Sequence, residues 1–252
     1  MKIGTVWHWY HFDSKYSLQL LTAHVESVEK QITRSINHYS KNKKRGLNIV
    51  SEEYRMVEEF EHYGGLESLT WDLNDLFKSH FPNLQRKSAF LTLYAFLEYE
   101  LDRLTRKLQQ ESKLKVSVDD IGGNGIWRSL TYMQKAVGLN IEQETWQLLV
   151  SNFNKLRNQI IHQNGRTVDH DGAPEKILDI VKQMEPHVTV SEDEVMLRST
   201  FLAHVIHRFD ELFAYLDQAI NVKYETKQKR IATLNKTLKN KKRLRTVRKD
   251  AR

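Results

Sequence analysis

Cysteine is absent from the chain. That excludes disulfides, thiolate metal sites and a cysteine nucleophile, and it fits a cytoplasmic setting. Only three prolines and ten glycines occur among 252 residues, so helices can run long without interruption. No stretch of about twenty apolar residues exists, and a membrane span is not expected. The N-terminus, Met1-Lys2-Ile3-Gly4-Thr5-Val6-Trp7-His8-Trp9, lacks the uninterrupted apolar core of a signal peptide.

What is present is ordinary for a soluble globular protein: 40% hydrophobic and 28% charged residues, with length enough for a sizeable core. The charge is unevenly placed. Residues 223–252 hold thirteen Lys/Arg against two Asp/Glu, so they carry +11 and residues 1–222 carry −4 of the total +7. The basic character belongs to the tail, and an argument for nucleic-acid binding from charge applies there alone. Lys239, Lys241, Lys242, Arg243, Arg245 and Arg248 are its candidate RNA-binding residues, through phosphate attraction without sequence specificity. A solvated extension is the alternative; Ile231, Leu234 and Leu238 permit a helix there.

Apolar spacing predicts a helix over about 14–40 from Leu18, Leu21, Val25, Val28, Ile32, Ile36 and Tyr39. Further helices are expected over 52–63, 66–80, 86–112, 126–137 and 142–162, with a short one near 175–183. Phe90, Leu93, Tyr94, Leu97, Leu101, Leu104 and Leu108 mark the buried stripe of the central helix. Thr167-Val168, Asp171-Gly172 and Val188-Thr189-Val190 suit short strands or an ordered loop. Ser191-Glu192-Asp193-Glu194 reads as a capping box that opens the last long helix. The expected class is all-α: a helical bundle with a short loop or hairpin insertion before its last long helix and a basic C-terminal extension. In domain terms, 1–84 is an N-terminal helical region, 85–222 a helical domain and 223–252 the tail.

On a helix over 142–162, Trp146, Leu149, Leu156 and Ile160 lie within about 60° of Phe153. Gln147, Ser151, Asn154, Asn158 and His162 lie about 100–180° away, so His162 points away from the core. A neutral imidazole can take a proton from a ribose 2′-hydroxyl near pH 7. An arginine can hold the doubly charged phosphoryl group bidentately. The candidate catalytic residues are therefore Arg157, Asn158 and His162, with neither metal nor cofactor required, because RNA supplies its own nucleophile. An in-line reaction needs groups on both sides of the phosphorus. A two-fold dimer would supply a second Arg157 and His162.

Leu156-Arg157-Asn158-Gln159-Ile160-Ile161-His162-Gln163-Asn164-Gly165 resembles the signature of HEPN domains, an arginine, a polar residue, and a histidine a few positions on. Phe90–Glu98 resembles the preceding long helix of that family, 120–138 its connector and 191–220 its closing helix, so the likeness covers roughly 85–220. The resemblance implies a HEPN-like bundle and a metal-independent endoribonuclease acting on RNA, tRNA included. It also implies a homodimer with a composite cleft, and a toxin or antiphage setting with an antitoxin or defence partner. The alternatives it leaves open are a non-catalytic module that binds RNA or a nucleotide, and a scaffold subunit. Glu98 resembles an acidic residue common on the family's long helix; a structural ion pair is the plainer reading.

Two other features invite chemistry. His204 and His207 are three apart, which permits metal ligation in principle, but no matching acid–histidine partner is evident and a surface or core role is favoured. Trp7-His8-Trp9-Tyr10-His11-Phe12 can stack on bases, yet packing of the terminus or a partner contact is favoured.

Overall fold

A computed structural model describes residues 8–123, 125–141, 143–169, 171–173 and 176–250. The fold is predominantly helical, with two small antiparallel sheets. In chain order it runs α1 (Lys15–Asn42), β1 (Lys44–Ser51), β2 (Met56–Tyr63), β3 (Leu66–Glu67), a short α2 (Leu73–Asp75), α3 (Phe81–Ser112), α4 (Gly125–Lys135), α5 (Gln143–Gln163), α6 (Ile177–Gln183), β4 (Val188–Ser191), β5 (Glu194–Leu197) and α7 (Phe201–Asp250). No helix among the described residues is long and apolar enough to cross a membrane.

Two compact units share the chain: residues 1–16, 98–144 and 210–252 form one, and 17–97 with 145–209 form the other. In the second, α1 buries Leu18, Val25, Ile32 and Tyr39, one residue in seven along a single stripe, while Leu21, Val28 and Ile36 flank it half-buried. Phe90 of α3 meets Phe153 of α5 at 6.1 Å and Phe201 of α7 at 5.2 Å, both within the range of favourable ring pairs. Phe153 also meets Phe209 edge-on at 6.0 Å. Arg86 of α3 reaches Glu29 of α1 with two bonds of 2.8 and 2.7 Å, a bidentate pair that fixes orientation as well as contact.

In the other unit, Leu101, Leu104 and Leu108 of α3 and Phe213, Leu216 and Ile220 of α7 are fully buried, and Trp9 packs edge-on to Phe213 at 5.0 Å. Tyr10 donates from its backbone to Asp217 at 3.1 Å and from its hydroxyl to Asp210 at 2.7 Å. Burial and then the Asp210 carboxylate push the Tyr10 hydroxyl up to about 12. The aromatic run at the N-terminus thus packs where Trp9 is concerned; Phe12 is exposed and Trp7 lies outside the described residues.

Three expectations from the sequence need correction. Residues 52–63 do not form a helix. They supply a turn and β2, which pairs antiparallel with β1 through Arg45↔Glu61, Leu47↔Glu59 and Ile49↔Val57. Val57, Phe60 and Tyr63 recur at helical spacing, but Arg55 sits in the left-handed region at φ 53° and turns the chain back. The β-branched pair Ile49 and Val57 then favours a ladder, with Val50 bulged out beside it. Gly46 opposes Phe60, and a Cβ there would lie 2.6 Å from the ring, so the missing side chain makes the pairing possible. Residues 66–80 begin as β3 and become helical only from Leu73, after Asp72 accepts from Asp75 at 2.9 Å as its cap. A π turn over Leu76–His80 then leads into α3, with Pro82 in its first turn, where the missing N–H costs little.

The third correction concerns Ser191–Glu194. It is a hairpin, not a helix start: Ser191 pairs with Glu194, and the intervening Glu192 and Asp193 both take positive φ, 48° and 59°. That is the double left-handed step of a two-residue hairpin turn, whose twist matches the flanking strands. The last helix begins only at Phe201, so the chain is predominantly helical rather than strictly all-α.

Glu100 of α3 is 2% exposed and accepts from Arg103 at 2.8 Å. Burial outweighs the arginine and raises its carboxyl above the usual range. An acid whose folded value is raised binds its proton more tightly in the folded state, so its ionisation lowers stability as pH rises through that interval. For Glu100→Gln, the Tm difference from wild type is expected to be more positive at pH 7 than at pH 4.5, read by circular dichroism. A difference that becomes more negative at pH 7 would mean the Arg103 pair dominates instead.

Candidate functional site at the end of helix α5

α5 buries Trp146, Phe153, Leu156 and Ile160, the face expected from its spacing; the side chain of Leu149 lies outside the described residues. Arg157 and Asn158 are half-buried and His162 is exposed. Arg157 donates from Nη1 to Asn158 Oδ1 at 2.9 Å, and its guanidinium lies 5.9 Å from the ring centroid of Tyr94 on α3. The Tyr94 hydroxyl in turn donates to Asn154 at 3.1 Å. A guanidinium over an aromatic face gains cation–π attraction, and the planar group is oriented by it. Arg157 and Asn158 are therefore brought together, while His162 makes no hydrogen bond or ion pair among the described residues.

The chain leaves α5 through Asn164 and Gly165, both at positive φ, 53° and 82°. Gly165 N–H donates to the Gln159 carbonyl at 3.0 Å, which closes the helix as a left-handed cap. Just beyond, Gly165 accepts from Val195 N–H at 2.8 Å, and Thr167 N–H donates to Asp193 at 2.7 Å. The hairpin β4–β5 is thereby sewn onto the end of the motif helix. Lys87 of α3, which is 2% exposed, donates to the Asn164 carbonyl at 2.6 Å and pairs with Glu194. A Cβ at Gly165 would lie 2.9 Å from the Lys87 ammonium, so glycine is required both by φ and by the lysine. Buried Asn83 completes the clamp, donating to the Val195 carbonyl and accepting from Leu197 N–H, each at 2.9 Å.

Glu194 also faces His80 Nδ1 at 3.3 Å, and His80 Nε2 faces Asp75 at 2.9 Å. A pocket of about 370 Å³ opens over this network, with Trp71 and Phe81 on its apolar side. Asp75, His80 and Glu192 bring one ligand atom each within 4.8 Å of one another, and these residues could hold a metal ion. His204, weighed above as a ligand, instead stacks on His187 at 4.2 Å and 18°. Glu98 is half-buried with its carboxylate against Gly125, where no Cβ intervenes.

Lys239, Lys241, Lys242, Arg243, Arg245 and Arg248 all fall on the helical backbone of α7; their side chains lie outside the described ones. Sequence reasoning missed Lys87, Glu194 and Asn154. Asn154 was placed on the polar stripe of α5, but nothing local signals that it meets Tyr94. Lys87 and Glu194 are 107 positions apart, and a lysine on a helix ordinarily reads as a solvated charge.

Removing the ammonium from Lys87 takes the lysine partner from a mostly buried carboxylate and a donor from the Asn164 carbonyl. Lys87→Met is expected to cost about 3 kcal/mol, the range for breaking one partner of a buried pair. That is a Tm fall on the order of 10 °C for a chain of this size, read by thermal unfolding. A change within about 1 °C would show that the clamp carries no weight.

No family model, no curated protein and no solved structure matches the chain.

Proposed function

We propose that this chain is an endoribonuclease of HEPN type, with a HEPN-like helical bundle, that cleaves RNA without a metal. The observation that carries the reading is the Arg157-Asn158-x-x-x-His162 spacing at the end of α5, with Asn158 and His162 on the side of the helix away from Phe153 and Arg157 at the edge of that buried face. His162 is exposed, and Arg157 is held in place by Tyr94 and Asn158. An accessible imidazole four residues after the amide and five after the guanidinium of a fixed pair suits general acid–base chemistry on a phosphodiester.

The reaction follows from the substrate. His162 takes the proton from a ribose 2′-hydroxyl, and the oxygen attacks the adjacent phosphorus. The bond to the 5′-oxygen breaks, and that oxygen is protonated by an imidazolium on the opposite side. Products are a 2′,3′-cyclic phosphate and a 5′-hydroxyl. Arg157 holds the crowded phosphoryl oxygens, and Asn158 supports it. The second imidazole comes from a two-fold related copy, which makes the cleft composite. The basic run of α7, Lys239 to Arg248, attracts the phosphate backbone without reading sequence. A cytoplasmic toxin or antiphage effector, kept in check by a partner protein, is the setting this activity fits.

The test is RNA incubated with the full chain in EDTA. Cleavage is expected to persist, with ends that carry cyclic phosphate. His162→Ala should lower the rate about 10²–10⁴-fold, the usual contribution of a general acid–base group. Arg157→Ala should lower it about 10²–10³-fold, the range for losing one donor to the developing charge. RNA binding without cleavage would replace the enzyme with a binding module, and neither binding nor cleavage would leave a scaffold. A monomer that cleaves at the full rate would remove the composite cleft.

A further inference from the structure

The hairpin β1–β2 carries an apolar surface that the fold leaves uncovered. Leu47, Ile49 and Val57 are 66%, 64% and 58% exposed, and the register places all three on one face of the sheet, with Ile49 directly opposite Val57. Tyr54 and Met56 at the turn are exposed as well. Among the described residues β1 pairs with β2 alone and forms the edge of its three-stranded sheet, so one side of its backbone offers donors and acceptors to a further strand. Proteins ordinarily blunt such an edge with a charge or proline within the strand. Here the stretch from Gly46 to Ile49 contains neither; Lys44 and Arg45 open the strand and a bulge at Val50 closes the stretch.

We infer that β1 pairs antiparallel, edge to edge, with β1 of a second copy of this chain. The charge pattern selects this occupant and this direction. A parallel pairing would set Lys44 and Arg45 beside their own copies. With Asn48 opposite the partner's Asn48, an antiparallel pairing sets Leu47 against the partner's Ile49, and it turns the cationic start of each strand, Lys44 and Arg45, towards the acidic turn of the other, Glu52 and Glu53, beyond the bulge at Val50. Lys44, Glu52 and Glu53 are exposed and form no ion pair among the described residues, so they are available for the contact. The two-fold axis repeats each of these pairs. It also joins the two apolar faces into one across a six-stranded sheet, with directly opposed side chains at the spacing where such pairs stabilise a sheet. This contact is separate from the composite cleft at His162 and does not depend on the ribonuclease reading.

The test uses the full chain in sedimentation velocity between about 1 and 100 µM, the range in which an interface of modest size associates. Wild type is expected to associate. Lys44→Glu alone or Glu52→Lys alone should weaken association about tenfold, because the two-fold axis counts the lost pair twice. The double variant Lys44→Glu/Glu52→Lys should restore it, since each new glutamate faces a new lysine. The cysteine-free background allows a second readout. Asn48→Cys is expected to oxidise to a covalent dimer, and Tyr16→Cys, exposed on α1, is not. A wild type that stays monomeric across the range overturns the inference and leaves the hairpin for a different protein. Association that ignores both single charge changes, or that the double change fails to restore, places the contact elsewhere and equally overturns it. All of these substitutions are at exposed positions, and unchanged circular dichroism confirms that the fold is retained.

Discussion

The last carbonyls of a helix have no donor inside it, and something else must satisfy them. At the end of α5 that demand is met three times: by Gly165 N–H on Gln159, by the Lys87 ammonium on Asn164, and by a β5 backbone that picks up the chain as soon as it turns. The left-handed steps at Asn164 and Gly165 cost little because one is asparagine and the other glycine. Much else follows from this cap. The short hairpin β4–β5 sits where it does because Val195 N–H donates to the Gly165 carbonyl and Thr167 N–H to the Asp193 carbonyl across the exit from α5. Asn83 and Arg86 of α3 take up what is left of the β5 edge. Two residues before the cap is His162, whose position is therefore set by a rigid turn rather than by a fraying end.

The same arrangement separates what is held from what is free. Arg157 is tied on one side to Asn158 and lies over Tyr94 on the other. The ring is itself anchored to Asn154, one turn earlier on the same helix. A guanidinium oriented in this way loses less freedom when it meets a phosphate than one on a solvated stem. His162 is left exposed. The guanidinium is thus pre-oriented while the imidazole stays accessible, a division that would suit chemistry on a large polyanion.

Helices whose apolar residues recur at three and four positions were legible in the sequence. The stripe from Phe90 to Leu108 and the buried face of α5 lie where the spacing places them, because that periodicity is local and survives any tertiary context. The hairpin β1–β2 was not legible. Glu-rich residues 52–61 have good helical propensity, and their strand character comes from pairing with 44–51 and from one left-handed residue, Arg55. Ser191–Glu194 failed for a related reason: a Ser followed three residues later by Glu fits both a capping box and the closing pair of a two-residue hairpin. Only the backbone angles of Glu192 and Asp193 decide between them. For the candidate site, the motif could be read from its own spacing. The clamp could not, since Lys87, Asn164 and Glu194 meet from three distant elements.

Charge segregation bears on how these parts work together. Residues 1–222 are net negative, and the cations are concentrated on α7, whose helix continues to Asp250. Like charges at neighbouring turns of a helix oppose its formation by a few tenths of a kcal/mol each. Within the tail few acids offset them; Lys229 meets Glu225 at 3.8 Å, and Asp250 is the other acid. A helix of this composition gains whenever its cations are neutralised from outside, and a nucleic-acid backbone does so while releasing condensed counterions. Stability of the α7 end and affinity for a polyanion are thus two sides of one equilibrium, and both weaken in the same direction as salt screens the charges. The acidic body, by contrast, offers a polyanion no general attraction.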